Sequence, residues 1–261
     1  MRGGKRRLVL RTGALALATL GLAAATATAA ERTVLAIGAH AGDAELTTGA
    51  ILARHQRLGD RVVILHLTLG EGGNPKLSPA VYAEQKRKEA LAAGEALGAE
   101  VLFGPWKDGQ LPSGEEAIRQ VAEVIRQVKP THVLTHWRNS LHPDHEAAFR
   151  IVQGAVLLAS LEGFVSSQPR HRGLRSVCYA ENWEDADGFQ PYLYVDVGED
   201  LPRWKAAVSA YEFVRGGISS FPYLDYYEAL ARLRGAEAGR RFAVALDVDP
   251  LGKKRVLDLL P

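Results

Sequence analysis

The sequence predicts an α/β protein: an open, mostly parallel sheet with helices packed against it, in a single domain. Three observations carry this reading. Short apolar runs alternate with longer amphipathic runs through the first two thirds of the chain after its thirtieth residue, the pattern of strands joined by helical crossovers. Gly59 and Gly98 fall just past two of the helical runs and Pro130 follows a third, where helix-stopping residues belong. Two polar segments, 39–45 and 142–145, each follow an apolar run and precede an amphipathic one. They therefore sit where strands end and helices begin, which is where open α/β sheets bind ligands.

The elements follow in order. Val34–Gly38 reads as a buried strand, and Ala44–Leu58 as the helix after it. A second strand is expected at Arg61–Leu67 and a helix at Pro79–Leu97, joined by a Gly- and Pro-rich connection of functional length, 68–79. Val101–Phe103, Val133–His136 and Ser176–Ala180 complete the strands of this part, with helices at Glu115–Val128 and Asp144–Leu161 between them. Beyond Cys178 a strand is expected at Tyr192–Val197, a helix at about Pro202–Val214 and a last helix around Leu224–Ala238. No internal repeat, low-complexity linker or second domain is evident.

Residues 1–30 read as an export signal rather than as part of the fold. Five basic residues and no acidic one lie within 1–11, an apolar run extends from Gly13 to about Ala25, and small residues close the segment at 27–30. The expected localisation is secreted, periplasmic or cell envelope. Arg6-Arg7 admits a twin-arginine signal as well as a Sec signal. The apolar run is short of the roughly 20 residues a membrane span needs, so no stable span is expected after cleavage. Without this segment the whole-chain charge of +2 becomes −3, 27 basic against 30 acidic residues. The basic balance is thus an export feature, and no basic, aromatic-interleaved patch suited to nucleic acid remains. The single cysteine, Cys178, cannot form an internal disulfide, so stability rests on the core of residues 31–261.

His40 and Asp43 lie three residues apart across a turn entering a helix, which lets both side chains face one point. His142-Pro143-Asp144-His145 places two imidazoles and a carboxylate at the start of another helix; Asp144 also suits an N-cap there. His40, Asp43 and His145 together offer two imidazoles and one carboxylate, leaving a coordination position open. That is the donor set of a catalytic Zn²⁺ site, with other divalent transition metals as substitutes.

These segments, with Thr68–Gly73, Lys86–Glu89, Leu97-Gly98, Asp108–Leu111 and Thr135-His136, resemble in order the LmbE-like (PIG-L) N-acetylglucosaminyl deacetylase family. The resemblance implies a Rossmann-like α/β fold with helices on both faces of the sheet, spanning 31–261. It implies one zinc at the strand ends and hydrolysis of an N-acetyl group on an N-acetylglucosamine-type or related amide, in a small molecule or glycan. It assigns the metal to His40, Asp43 and His145, acid/base work to His142, and tuning of that histidine to Asp144. Arg87, in the basic cluster 86–88, and Asp108 fall at substrate-contacting positions. Trp106, Trp137 and Trp183 are candidates for sugar stacking or for the core.

The chain departs from the family's usual His-Pro-Asp-Asp, reading His40-Ala41-Gly42-Asp43. The aspartate that would take a proton from the attacking water is thus replaced by Gly42. A positioned base contributes about 10²–10⁴-fold. Three readings stay open: His142 serves as both base and acid, a carboxylate such as Glu45, Glu71 or Asp144 takes over, or the domain is a non-catalytic carbohydrate-binding relative that keeps the metal pocket. Gly42→Asp is the substitution expected to separate them. Two lesser departures are Ser140, where the family often has an aspartate, and Val244, where it often has a carboxylate; the stretch 238–244 otherwise reads as the tail of the last helix.

Overall fold

The first strand, β1 (Thr33–Gly38), explains why the sheet lies between two helical layers. Its residues alternate between two separate cores, Val34 and Ala36 into one, Leu35 and Ile37 into the other. A strand covered on both faces has to be apolar throughout, as in parallel sheets. The computed structural model describes residue 1 and residues 32–185, 187–250 and 252–253, so the expected export segment, Met1 apart, lies outside the described residues. All elements belong to the unit Glu31–Pro261.

From β1 the chain runs through α1 (Asp43–Arg57), β2 (Arg61–His66), a 3-10 turn at Glu71–Gly73, α2 (Pro79–Leu97), β3 (Glu100–Phe103), α3 (Glu115–Val128), β4 (His132–His136), α4 (Pro143–Ser160) and β5 (Ser176–Ala180). It ends with β6 (Leu193–Asp196), α5 (Leu201–Val208), α6 (Tyr223–Glu237) and β7 (Ala243–Val248). The sheet order is β3-β2-β1-β4-β5-β7-β6. The first five of these are mutually parallel, with Val34 opposite both Val62 and His132. β7, between β5 and β6, runs antiparallel to both. On one face Leu52 of α1, Trp204 of α5 and Tyr227 of α6 pack together; on the other, Ile125 of α3 meets Ile151 of α4. Strand order reverses between β1 and β4, which opens a crevice at their carboxyl ends.

Punctuation behaves as the residue types require. Pro79 stands at the start of α2 behind Ser78, whose Oγ accepts from Val81 N–H, and Gly98 ends that helix at φ 70°. Among the described residues no helix is long and apolar enough to cross a membrane.

Three expectations are corrected. Asp144 does not cap α4: the N-cap is His142, whose Nδ1 accepts from Asp144 N–H at 3.2 Å. The helix expected to reach Val214 ends at Val208, and the Arg215 guanidinium takes up the carbonyls of Ser209 and Ala210 just beyond it. The segment read as a helix tail through Val244 is instead the start of β7. Gly239, at φ 65°, turns the chain after α6, and Ala243–Val248 then inserts between β5 and β6.

Candidate metal centre and cleft

The crevice at the strand-order reversal collects the polar segments. The β1–α1 turn is pinned from several sides. Ala39 N–H donates to His136 Nε2 at 2.9 Å, Thr68 Oγ donates to the Ala39 carbonyl at 2.9 Å, and His40 N–H donates to Asp43 Oδ2 at 2.8 Å. Gly42 holds φ 111° in this turn, a conformation open to glycine and costly for other residues. Its missing side chain is also spatially excluded. A Cβ there would lie 2.8 Å from the Phe213 ring, which arrives from the segment after α5.

The turn brings His40 and Asp43 against His145 in the first turn of α4. Asp43 Oδ2 lies 3.1 Å from His40 Nδ1 and 3.3 Å from His145 Nε2, and the two nitrogens are 3.3 Å apart. A tetrahedral zinc with bonds of about 2.0–2.1 Å has donor–donor edges of about 3.3–3.4 Å, so this triangle fits one face of such a site. The far nitrogen of His40, Nε2, lies 3.1 Å from Asp108 Oδ1 and 3.3 Å from Asp144 Oδ2, carboxylates that call for a proton on that nitrogen and leave Nδ1 free to ligate. Asp144 is itself held by Gly109 N–H at 2.7 Å and Leu111 N–H at 3.3 Å, and Asp108 by Gly72 N–H at 2.9 Å. The Asp144 carboxylate thus lies against His40, and its charge also acts on the neighbouring His142 ring.

The electrostatics are those of a compact charge cluster. Burial opposes a charge on His40, but Asp43, Asp108 and Asp144 outweigh it and hold its pKa well above the ordinary imidazole value. Burial likewise opposes the Asp43 carboxylate, and His40 and His145 outweigh it, keeping that group well below the usual carboxylate range. His136, whose Nε2 lone pair is taken by Ala39 N–H, is pushed down to about 4 by burial and by His145. His142 is lowered by burial and by the two neighbouring imidazoles. With its Nδ1 accepting from the backbone, the proton of the neutral ring sits on Nε2, so His142 enters the cleft as a hydrogen-bond donor.

The cluster forms the floor of a cleft of about 670 Å³. The carboxylates lining it, among the described residues, are Asp43, Asp108 and Glu184. Glu45 is fully buried elsewhere, accepting from Tyr211 Oη–H at 2.7 Å, and Glu71 Oε1 accepts from Asp108 N–H. Arg87 is outside the lining, its guanidinium 4.2 Å above the Phe103 ring. Its neighbour Lys86 lines the cleft instead, buried to 4% exposure, with Nζ donating to the Ala41 carbonyl and lying 4.3 Å from the Phe213 ring centre. Burial draws the Lys86 pKa down to about 8. Helical phase carried this signal: Tyr82, Lys86, Glu89, Ala90, Ala93 and Leu97 form the buried stripe of α2. Of the tryptophans, Trp183 lines the cleft, stacked on Phe221 at 4.4 Å, whereas Trp106 and Trp137 pack into the body of the protein.

Residues 35–156 match the family model described as PIG-L, GlcNAc-PI de-N-acetylase. The PIG-L (LmbE-like) likeness thus runs from β1 to α4, the part of the chain that carries His40, Asp43 and His145. Among its relatives is 4-oxalmesaconate hydratase of Pseudomonas putida, 24% identical over 222 residues, a match covering 82% of this chain and 84% of that one. Another is 1D-myo-inositol 2-acetamido-2-deoxy-alpha-D-glucopyranoside deacetylase of Thermobispora bispora, 31% identical over 170 residues. That match covers 54% of this chain and 56% of the relative, so the chain spans a little over half the length of that relative. In fold it is similar to a conserved protein of Thermus thermophilus, with a TM-score of 0.75, 29% identity and coverage of 86% of this chain and 97% of that one. The family-level expectation of a Rossmann-like, mostly parallel sheet with helices on both faces is the architecture observed.

Proposed function

We propose that this protein is an exported, metal-dependent deacetylase that hydrolyses the N-acetyl group of an N-acetylglucosamine-type or related amide. The observation that carries the reading is the donor triangle of His40, Asp43 and His145, with one side open to a cleft large enough for a sugar. A zinc ion held there supplies Lewis acidity and a nucleophile at neutral pH. Asp108 and Asp144 orient His40, and the His142 Nε2–H is available to polarise the acetyl carbonyl. The name of the T. bispora relative, a deacetylase of an acetamido sugar, supports the substrate class. The test measures zinc content and acetate release for protein beginning near Glu31, beside His40→Ala and His145→Ala. About one zinc per chain with acetate release, both lost in the variants, is the expected result. A zinc-loaded wild type that releases no acetate across a broad panel of acetylated amino sugars overturns it. Export is tested by sequencing the N-terminus of protein recovered from intact cells, with a start near residue 31 expected.

A second reading is favoured by two observations. Gly42 and the Phe213 ring remove the position of the usual base, and the hydratase relative aligns over most of its length. In this reading the same centre adds water across a carbon–carbon double bond of a carboxylate substrate, with Lys86 pairing to the carboxylate. Loss of the ultraviolet absorbance of a conjugated unsaturated acid, without acetate release from amides, separates it from the first. A metal-bound protein inactive in both assays supports the carbohydrate-binding alternative.

A further inference from the structure

Both donor imidazoles turn one nitrogen toward the donor triangle and the other toward an acceptor. For His40 the acceptors are Asp108 and Asp144. For His145 the outer nitrogen is Nδ1, which lies 3.2 Å from Ser140 Oγ and 3.2 Å from Glu184 Oε2. The Ser140 hydroxyl donates its proton to the Glu184 carbonyl at 3.4 Å, leaving its oxygen to accept. The Glu184 carboxylate can only accept, so it calls for a proton on Nδ1, and a neutral imidazole protonated there presents its Nε2 lone pair to Asp43 and His40.

We propose that Glu184 is the positioning residue of His145, fixing the tautomer and ring orientation in which Nε2 ligates a metal. The segment carrying it is built for this. Asn182 N–H donates to Asp185 Oδ2 at 2.8 Å and Asp185 N–H to the Asn182 carbonyl at 3.0 Å, closing a tight turn around Trp183 and Glu184. Asn182 Oδ1 accepts from Tyr227 Oη–H at 2.7 Å, anchoring that turn to α6. Leu141 N–H donates to the Glu184 carbonyl at 2.9 Å, tying the turn to the segment that enters α4. The Glu184 side chain is 22% exposed, and His145 is the group among the described residues that pairs with its carboxylate. The consequence is a coupling: the turn after β5 that puts Trp183 into the cleft also sets the strength of the centre on its floor.

This inference rests on the metal reading of the cluster and not on the reaction, so its test uses no turnover. Metal-free wild type, Glu184→Ala, Glu184→Gln and Ser140→Ala are compared by long-range ¹H–¹⁵N NMR of the histidine rings and by zinc affinity in chelator competition. The expected wild-type signal for His145 is the Nδ1-protonated tautomer. Glu184→Ala should mix the tautomers and weaken zinc binding about 10–100-fold. Glu184→Gln, which can still accept, should fall between, and Ser140→Ala should stay within a few-fold of wild type. Wild-type tautomer and affinity within twofold in Glu184→Ala would overturn the proposal, as would finding the loss in Ser140→Ala instead. If Glu184→Ala does not fold, Glu184→Gln decides by the same two readouts. Should the wild type bind no zinc, the proposal fails, whereas absence of acetate release alone leaves it standing.

Discussion

At Gly42 two constraints meet in one residue. The positive φ of 111° excludes ordinary side chains, and the Phe213 ring occupies the volume a Cβ would need. Gly42→Asp therefore cannot serve as the simple restoration of a base that the motif suggests. It should cost about 2 kcal/mol or more in urea denaturation, from backbone strain and overpacking together. In a double-mutant cycle with Phe213→Ala, the double variant should be less destabilised than the sum of the singles by about 1 kcal/mol; strict additivity would show that the two positions do not touch. A second residue offers a pH signature. Asp185 Oδ2 accepts from Asn182 N–H, but Oδ1 is buried without a partner among the described residues, and burial pushes the group up to about 7. A carboxyl group whose pKa is raised in the folded state binds its proton more tightly there than when unfolded. Its destabilising effect is absent below about pH 4, grows as pH rises toward 7, and is complete above that. Asp185→Asn should thus stabilise the protein by about 2 kcal/mol at pH 8, allowing for solvent near a partly buried group, and leave it unchanged at pH 4. A gain independent of pH would sink this account.

Elements were legible where local pattern and tertiary role agree. Ser176–Ala180 and Pro79–Leu97 form as read, the first as an apolar run, the second between Ser78-Pro79 and Gly98. β7 was not legible. Its residues Ala243–Val248 are a short, nearly continuous apolar run, and only β5 and β6, distant in sequence, give them a place in the sheet. The site divides along the same line. His40, Asp43 and His145 lie in segments whose spacing shows through, and the structure brings them together. Glu184 carries no motif and reaches His145 only because β5 lies beside β4. The joint between α6 and β7 supplies an element-scale prediction. In an exposed helix interior Gly→Ala is stabilising by about 0.5–1 kcal/mol. Gly235 lies within α6, yet a Cβ there would sit 2.7 Å from the Phe242 backbone. Gly235→Ala should therefore destabilise by about 1–3 kcal/mol in urea denaturation, since backbone cannot yield as a side chain can. A stabilised variant would show that helix and strand do not approach so closely.

Across the whole molecule, the centre stands at the seam where the sheet changes direction. His40 and Asp43 belong to the β1–α1 half and His145 to the β4–α4 half, and each half has its own crossover helices. Within the protein the seam is crossed by the β1–β4 ladder and by Ala39 N–H donating to His136 Nε2. A metal ion held by all three donors adds a bond across that seam in the folded state alone, because the unfolded chain keeps the donors of the two halves far apart in sequence. Zinc at a hundred times its dissociation constant should then stabilise the protein by about 2.7 kcal/mol. For a domain of this size that corresponds to a melting-temperature rise of roughly 5–10 °C, read by calorimetry on chelator-treated protein with and without added zinc. His145→Ala leaves the β1–β4 ladder in place but removes the donor from one half, so it should melt at one temperature with or without zinc. If the variant gained as much as the wild type, zinc would be binding somewhere that does not join the halves. A rise confined to the wild type makes the strand-order reversal a mechanical joint as well as a binding crevice.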